Sequence, residues 1–228
     1  MMNLPEWQSF NMLELRQSEQ LNGYYLIEFK LAVNAPFGWK VQFRLAADPQ
    51  QQLALFKQQQ QQNYLLLQLL SDRPLNDIKV REILVKEPPE IALPPNDTTL
   101  MMLGSGLQMV RLFGVAKQRS SVDASTLALL HSTDTFAFPV KPARFIFPNT
   151  PAAAIGACPL LEDWKVPNRL ASDQGLPGCY DGNLPELLQT WLEYSSVQDW
   201  QFILAAPDDV QQECISLLET HGCRTIFC

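Results

Sequence analysis

Hydrophobic and polar positions alternate in the first third of the chain and then change rhythm. Residues 24–31, Tyr-Tyr-Leu-Ile-Glu-Phe-Lys-Leu, mix aromatic and aliphatic side chains with partial alternation, and residues 40–45, Lys-Val-Gln-Phe-Arg-Leu, alternate cleanly. Both patterns predict strands with one buried face. Asn34, Pro36 and Gly38 between them supply a turn. Further strands are predicted at 64–70 and 83–85. The glutamine runs at 50–52 and 58–62 flank Leu53-Ala54-Leu55-Phe56, and composition leaves open whether they form a solvated loop or the exposed face of a helix. Together these elements predict a small antiparallel barrel or sandwich.

Pro88, Pro89, Pro94 and Pro95 crowd the stretch from Glu87 to Asp97. Proline fixes φ and removes backbone donors, so this stretch predicts an extended junction between a β domain, 1–96, and an α/β domain, 97–228. Beyond it the order becomes strand, turn, helix. Residues 98–103 are apolar, Gly104-Ser105-Gly106 interrupts them, and Leu107, Val110, Leu112, Phe113, Val115 and Ala116 then recur at helical spacing. Strands are predicted at 126–130, 144–147, 168–171, 201–205 and 224–227, and helices at 151–164, 184–194 and 208–221. Pro151, Pro185 and Pro207 fall at or near the predicted helix starts, where a missing N–H costs nothing. The alternation predicts a doubly wound, mainly parallel sheet with helices on both faces. The short link between 130 and 144 holds Pro139 and Pro142 and leaves two options: an antiparallel pair, or one strand outside the sheet.

Composition narrows the function classes. The chain has 228 residues, 46% of them hydrophobic and 18% charged, enough for packed cores. No stretch approaches the roughly 20 apolar residues of a membrane helix, and the first residues lack the basic and apolar regions of a secretory signal, so a cytoplasmic protein without membrane association is expected. A net charge of −7 argues against nucleic acid as a partner. Lys and Arg are sparse, so an anion would be met by backbone N–H groups at a helix start. Cys158, Cys179, Cys214, Cys223 and Cys228 are odd in number and irregularly spaced, and His131 and His221 are the only histidines. Neither a zinc site nor an iron–sulfur cluster is expected, and reduced thiols fit best. His131 and Asp134 form an acid–base pair on paper only, without a recognisable nucleophile elbow. Cys179 has no neighbouring cation or His to activate it and reads as structural.

Three segments in order resemble the ferredoxin reductase superfamily, and within it the electron-transfer subunit of dihydroorotate dehydrogenase. They are Leu103-Gly104-Ser105-Gly106-Leu107 after the first strand, Ser172-Asp173-Gln174-Gly175 followed by Gly178-Cys179-Tyr180-Asp181-Gly182, and Ala205-Ala206-Pro207-Asp208 after a late strand. The resemblance implies a flavin-binding barrel, an NAD(P)H crevice formed by Gly104, Ser105, Gly106, Leu107, Ser172, Asp173, Ala206 and Pro207, and electron transfer to a redox partner protein. Departures accompany it. Gln52-Leu53-Ala54-Leu55-Phe56 stands where the family has an Arg-x-aromatic-Ser/Thr flavin segment, which disfavours FAD or FMN. Ala205-Ala206 replaces the Cys-Gly that precedes the proline. No catalytic side chain is identified. A reductase-like module and a non-enzymatic interaction or scaffold protein that kept the fold both remain open, as does the oligomeric state.

Overall fold

Alternation builds the first unit. In the computed structural model, which describes residues 6–76, 81–88, 93–95, 97–120, 125–223 and 226–227, the chain divides into units 1–92 and 93–228. The first contains β1 (Gln8–Asn11), β2 (Leu13–Glu19), β3 (Tyr25–Leu31), β4 (Gln42–Leu45), β5 (Leu53–Gln60), β6 (Leu65–Ser71) and β7 (Glu82–Lys86). They form two antiparallel sheets, β1-β7-β4 and β2-β3-β6-β5, arranged as a barrel-like unit. On β3 and β6 the register sets Ile27, Phe29 and Leu31 opposite Leu69, Leu67 and Leu65. All six side chains are buried, because a period of two puts them on one face. Strands β1 and β2 fall in a segment where the sequence predicts no element.

The second glutamine run is neither loop nor helix at its start. Gln58, Gln59 and Gln60 belong to β5 and pair with Leu67, Leu66 and Leu65 of β6. The Gln58 side chain accepts from the Phe37 N–H at 2.8 Å and donates to the Phe37 carbonyl at 2.7 Å. A neighbouring strand with free backbone groups decides the conformation that a homopolymer leaves undecided.

The second unit contains β8 (Thr99–Ser105), a 3-10 turn at Gly106–Val110, α1 (Arg111–Arg119), β9 (Thr126–Ser132), β10 (Lys141–Pro142), β11 (Gly156–Ala157), α2 (Pro159–Asp163), β12 (Asn168–Ser172), β13 (Tyr180–Asp181), α3 (Leu184–Leu192), β14 (Trp200–Ala205), α4 (Asp208–Thr220) and β15 (Ile226–Phe227). Its main sheet has the order β13-β12-β9-β8-β14-β15, and its strand pairs are parallel. The first strand of the unit therefore lies inside the sheet, with the chain winding outward from it in both directions. One sheet face packs Met101, Leu103, Leu129 and Leu204 against Leu184, Leu188 and Trp191 of α3 and Leu218 of α4. The other carries Gly104 against Met109 and Leu112 of the turn and α1. Arg119 anchors the junction to this unit: its guanidinium donates to the carbonyls of Pro94, Pro95 and Thr98.

Two expectations fail between β9 and β12. Residues 144–147 are not a strand, because their backbone groups are satisfied by side chains: Glu162 accepts from the Arg144 N–H, and Arg169 donates to the Phe145 carbonyl. Of the two options for this segment, the one that leaves it outside the sheet holds. Residues 151–164 are not a single helix either. Gly156 enters β11 and donates to the Gly178 carbonyl at 2.6 Å, and only Pro159–Asp163 is helical, with Pro159 in its first turn. A Cβ on Gly156 would stand 2.7 Å from Val140 Cγ1 and 2.9 Å from the Gly178 oxygen. Part of the predicted strand at 224–227 and part of the junction lie outside the described residues.

Candidate functional site

The strand order creates one place where chain direction reverses across the sheet. β8 runs on to β9 on one side and pairs with β14 on the other, with Gly104 abreast of Ala205. Helical connections leave these two strands toward opposite faces, the switch point at which doubly wound sheets take ligands. Gly104, Ser105, Gly106 and Leu107 lie at the end of β8 and Ala206 and Pro207 just beyond the end of β14, with Ser105, Leu107 and Ala206 buried.

Each residue at the turn has a physical reason to be there. Gly104 lets α1 approach, since a Cβ would lie 2.7 Å from Met109 Cβ. Gly106 has φ +58°, and a Cβ there would meet nothing within 4 Å. The backbone N–H groups at the start of the 3-10 turn have no intrahelical acceptor and suit an anion. No acidic residue lies in the first turn of either the 3-10 segment or α1, whereas α4 begins with Asp208 and Asp209. An anion is therefore favoured at the Gly106 end and opposed at the α4 end.

Arg111 opens α1. Its Nε is buried and has no hydrogen-bond partner among the described residues, and burial holds its guanidinium below the ordinary arginine range. Arg119 and Arg169 are lowered by burial too, but both donate to backbone carbonyls.

Ser172 and Asp173 lie at the end of β12, two strands from β8. Ser172 Oγ accepts from the Gln174 N–H at 3.2 Å and the Ser172 carbonyl accepts from Gly175 and Gly182, so this side chain is occupied in shaping its own loop. Asp173 reaches back toward the turn through a residue that the sequence reading left out of the site. Ser105 Oγ lies 2.8 Å from His131 Nδ1, and His131 Nε2 lies 3.1 Å from Asp173 Oδ1. Three adjacent strands thus present Ser, His and Asp at their carboxyl ends, His131 beside Ser105 in register. Asp134, paired with His131 on paper only, donates its backbone N–H to Ser132 Oγ. Only the position of His131 on the last turn of a buried strand, level with Gly104-Ser105-Gly106, could have signalled this.

This chain of hydrogen bonds is not a hydrolase triad. A nucleophile elbow exposes its Ser on a strained turn, while Ser105 is 2% exposed with extended φ −134° and ψ 144°. A fixed carboxylate accepting from Nε2 leaves Nδ1 as an acceptor for the Ser105 hydroxyl. The arrangement orients Ser105.

The thiols fit a structural role. Cys158 and Cys179 are buried and free, and burial pushes them up to about 12 and about 11. Among the described residues no group of three His, Cys, Asp or Glu side chains is arranged to hold a metal ion, and no helix is long and apolar enough to cross a membrane.

In the first unit the start of β5 and its surroundings are occupied by apolar side chains and internal hydrogen bonds. β5 carries buried Leu53, Ala54 and Leu55, followed by Lys57. Gln51 donates to Ser71 Oγ and the Arg73 carbonyl, and the Arg73 guanidinium is taken by Asp48 at 3.1 Å.

No family model matches the chain, and no curated protein does. Solved structures do. A cytochrome P450 reductase from Amycolatopsis is 12% identical with a TM-score of 0.66, covering 98% of this chain and 69% of that one. The ferredoxin reductase of carbazole 1,9a-dioxygenase, in its FAD apo form, is 11% identical with a TM-score of 0.61, covering 97% and 68%. The ferredoxin-NADP+ reductase from Plasmodium falciparum is 7% identical with a TM-score of 0.56, covering 98% and 96%. The fold is that of the ferredoxin reductases. None of these is a dihydroorotate dehydrogenase subunit, so that narrower resemblance rests on the sequence motifs alone.

Proposed function

We propose that the chain is an NAD(P)H-linked electron-transfer module of the ferredoxin reductase type, with the dinucleotide in the crevice between β8 and β14. The observation that carries this reading is the switch point itself. Gly104 and Ala205 stand abreast where the winding reverses, and the open, acid-free start of the following turn is suited to a pyrophosphate. A bound nicotinamide would supply hydride. The protein's part is to hold the pyrophosphate on the Gly106 and Leu107 N–H groups and to seat the remainder along Ala206 and Pro207, with Ser172 and Asp173 bounding the far side.

The acceptor of the reducing equivalents is a flavin in this reading, supported only by the fold shared with reductases. No step is routed through a resident flavin. Calorimetric titration with NADH, NADPH, FAD and FMN, together with an absorption spectrum of the protein as purified, tests the reading. It expects micromolar to low millimolar binding of at least one nicotinamide dinucleotide. Absence of binding by both at millimolar concentration overturns it, and a flavin band near 450 nm would show a resident flavin.

A further inference from the structure

Every described arginine of the second unit except one has its charge answered within the chain. Arg119 donates to the carbonyls of Pro94, Pro95 and Thr98, Arg144 pairs with Glu162 and Asp163, and Arg169 donates to the carbonyls of Asn168 and Phe145. Arg111 has no such partner. Its Nε is buried and unbonded among the described residues. Burial alone holds its guanidinium low, whereas Asp97 offsets burial in part at Arg119 and Glu162 does so at Arg169. An unanswered cation in a desolvated recess is destabilising, and an apolar side chain of similar length would fill the space without that cost. The residue is partly exposed, so the far end of the guanidinium is reachable while Nε is not.

Helix geometry sets where that end lies. At about 3.6 residues per turn, Arg111 and Phe113 diverge by about 200° around α1. Phe113 meets Phe138, their ring centroids 6.3 Å apart, in the segment that leaves β9, and α1 also packs beside α2, which precedes β12. The sheet order puts β9 and β12 on that side of β8 and β14 on the other, so Arg111 opens α1 on its β14 flank. A helical side chain leans back over the turn before its own Cα. The guanidinium therefore extends toward Leu107, at the switch point between the ends of β8 and β14.

We propose that Arg111 pairs with the pyrophosphate of the dinucleotide at the switch point, and that the empty chain carries it as an unanswered charge until that anion arrives. This rests on the reading of the switch point as a dinucleotide site. The guanidinium presents five donors in a planar fork that matches two phosphate oxygens and keeps its charge throughout the working pH range. No acid competes from the first turn of α1 or of the 3-10 segment before it. Asp208 and Asp209 at the start of α4 are exposed and form no ion pair with it. The same residue thus favours the loaded chain at the expense of the empty one.

The probes are NADH and NADPH, titrated calorimetrically into the full chain. R111M is expected to bind each dinucleotide that the wild-type chain binds at least about tenfold more weakly. R111K, which keeps the charge but not the fork, should fall between. R111M binding as tightly as wild type overturns the inference, and so does weakening confined to NADPH, which would assign the guanidinium to the 2′-phosphate. A measurement on the unaltered chain serves if a variant does not fold. Phenylglyoxal, which condenses with accessible guanidinium groups, should modify Arg111 in the free chain and spare it at saturating dinucleotide, with modification of the exposed Arg144 unchanged, both read by peptide mass mapping. Equal modification of Arg111 with and without ligand overturns the inference and leaves the dinucleotide site standing. No binding of NADH or NADPH by the wild-type chain at millimolar concentration overturns both.

Discussion

Gly104 and Met109 are packed so closely that a Cβ on the glycine would lie 2.7 Å from the methionine Cβ and 3.0 Å from its Cα. The contact is between backbone-proximal atoms on β8 and the 3-10 turn, which cannot swing aside as a side-chain tip would. G104A is therefore expected to destabilise the second unit by about 1–3 kcal/mol through overpacking, seen as a lower urea midpoint. G106A meets no atom within 4 Å and should cost only the left-handed backbone, about 1–2 kcal/mol. If G104A unfolds at the wild-type urea concentration, the close packing described for β8 is wrong.

Asn168 is fully buried and holds the start of α2 in place. Its Oδ1 accepts from the Cys158 N–H at 2.6 Å and its Nδ2 donates to the Val166 carbonyl at 3.1 Å. N168A leaves these groups without partners in a dry interior, at an expected cost of about 2–3 kcal/mol. N168D should be worse than N168A, because it loses the donor and sets a carboxylate 3.5 Å from Glu162 Oε1. Equilibrium unfolding of the two variants decides the order.

Arg111 carries a buried Nε that no described residue satisfies. Replacing the side chain with an apolar one of similar length removes that desolvated group, so R111M is expected to raise the stability of the ligand-free chain by about 1 kcal/mol. A drop in melting temperature would show that the guanidinium has a stabilising partner.

Cys158 and Cys179 are pushed up by burial to about 12 and about 11 from an ordinary 9. The unfolded chain releases these protons first, so the folded state is favoured fully below about pH 9 and loses that advantage as pH rises toward the folded values. The loss approaches about 1.4 kcal/mol per pH unit for each such thiol. Urea midpoints should fall between pH 9 and pH 11, less steeply in C158A, and native-state alkylation of Cys158 at pH 8 should be slower than that of the unfolded chain.

The sequence made the parallel sheet legible where buried strands and helix signals coincide. Pro185 and Pro207 stand at the starts of α3 and α4, and Gly104-Ser105-Gly106 marks the end of β8. It was least legible where side chains replace ladder hydrogen bonds. Residues 144–147 look like a strand by composition, but Glu162 and Arg169 take their backbone groups, a long-range arrangement without a local period. The helix expected over 151–164 fails for a similar reason, the bond from Gly156 to Gly178. At the candidate site the glycine turn and Asp173 stood out by motif order, while His131 did not. Its role depends on two strands setting it between Ser105 and Asp173, and the spacing of three residues drawn from separate elements leaves no mark in the linear order.

The placement of β8 inside the sheet has a consequence for biosynthesis. Its neighbour β9 leaves the ribosome soon after it, but β14, which covers its other edge, emerges only after most of the unit has been made. Until then the apolar run Leu100-Met101-Met102-Leu103 has backbone groups unmatched along one side, a template for pairing with another nascent chain. The same delay postpones the switch point, because Ala205 must arrive beside Gly104 before the two strand ends stand abreast.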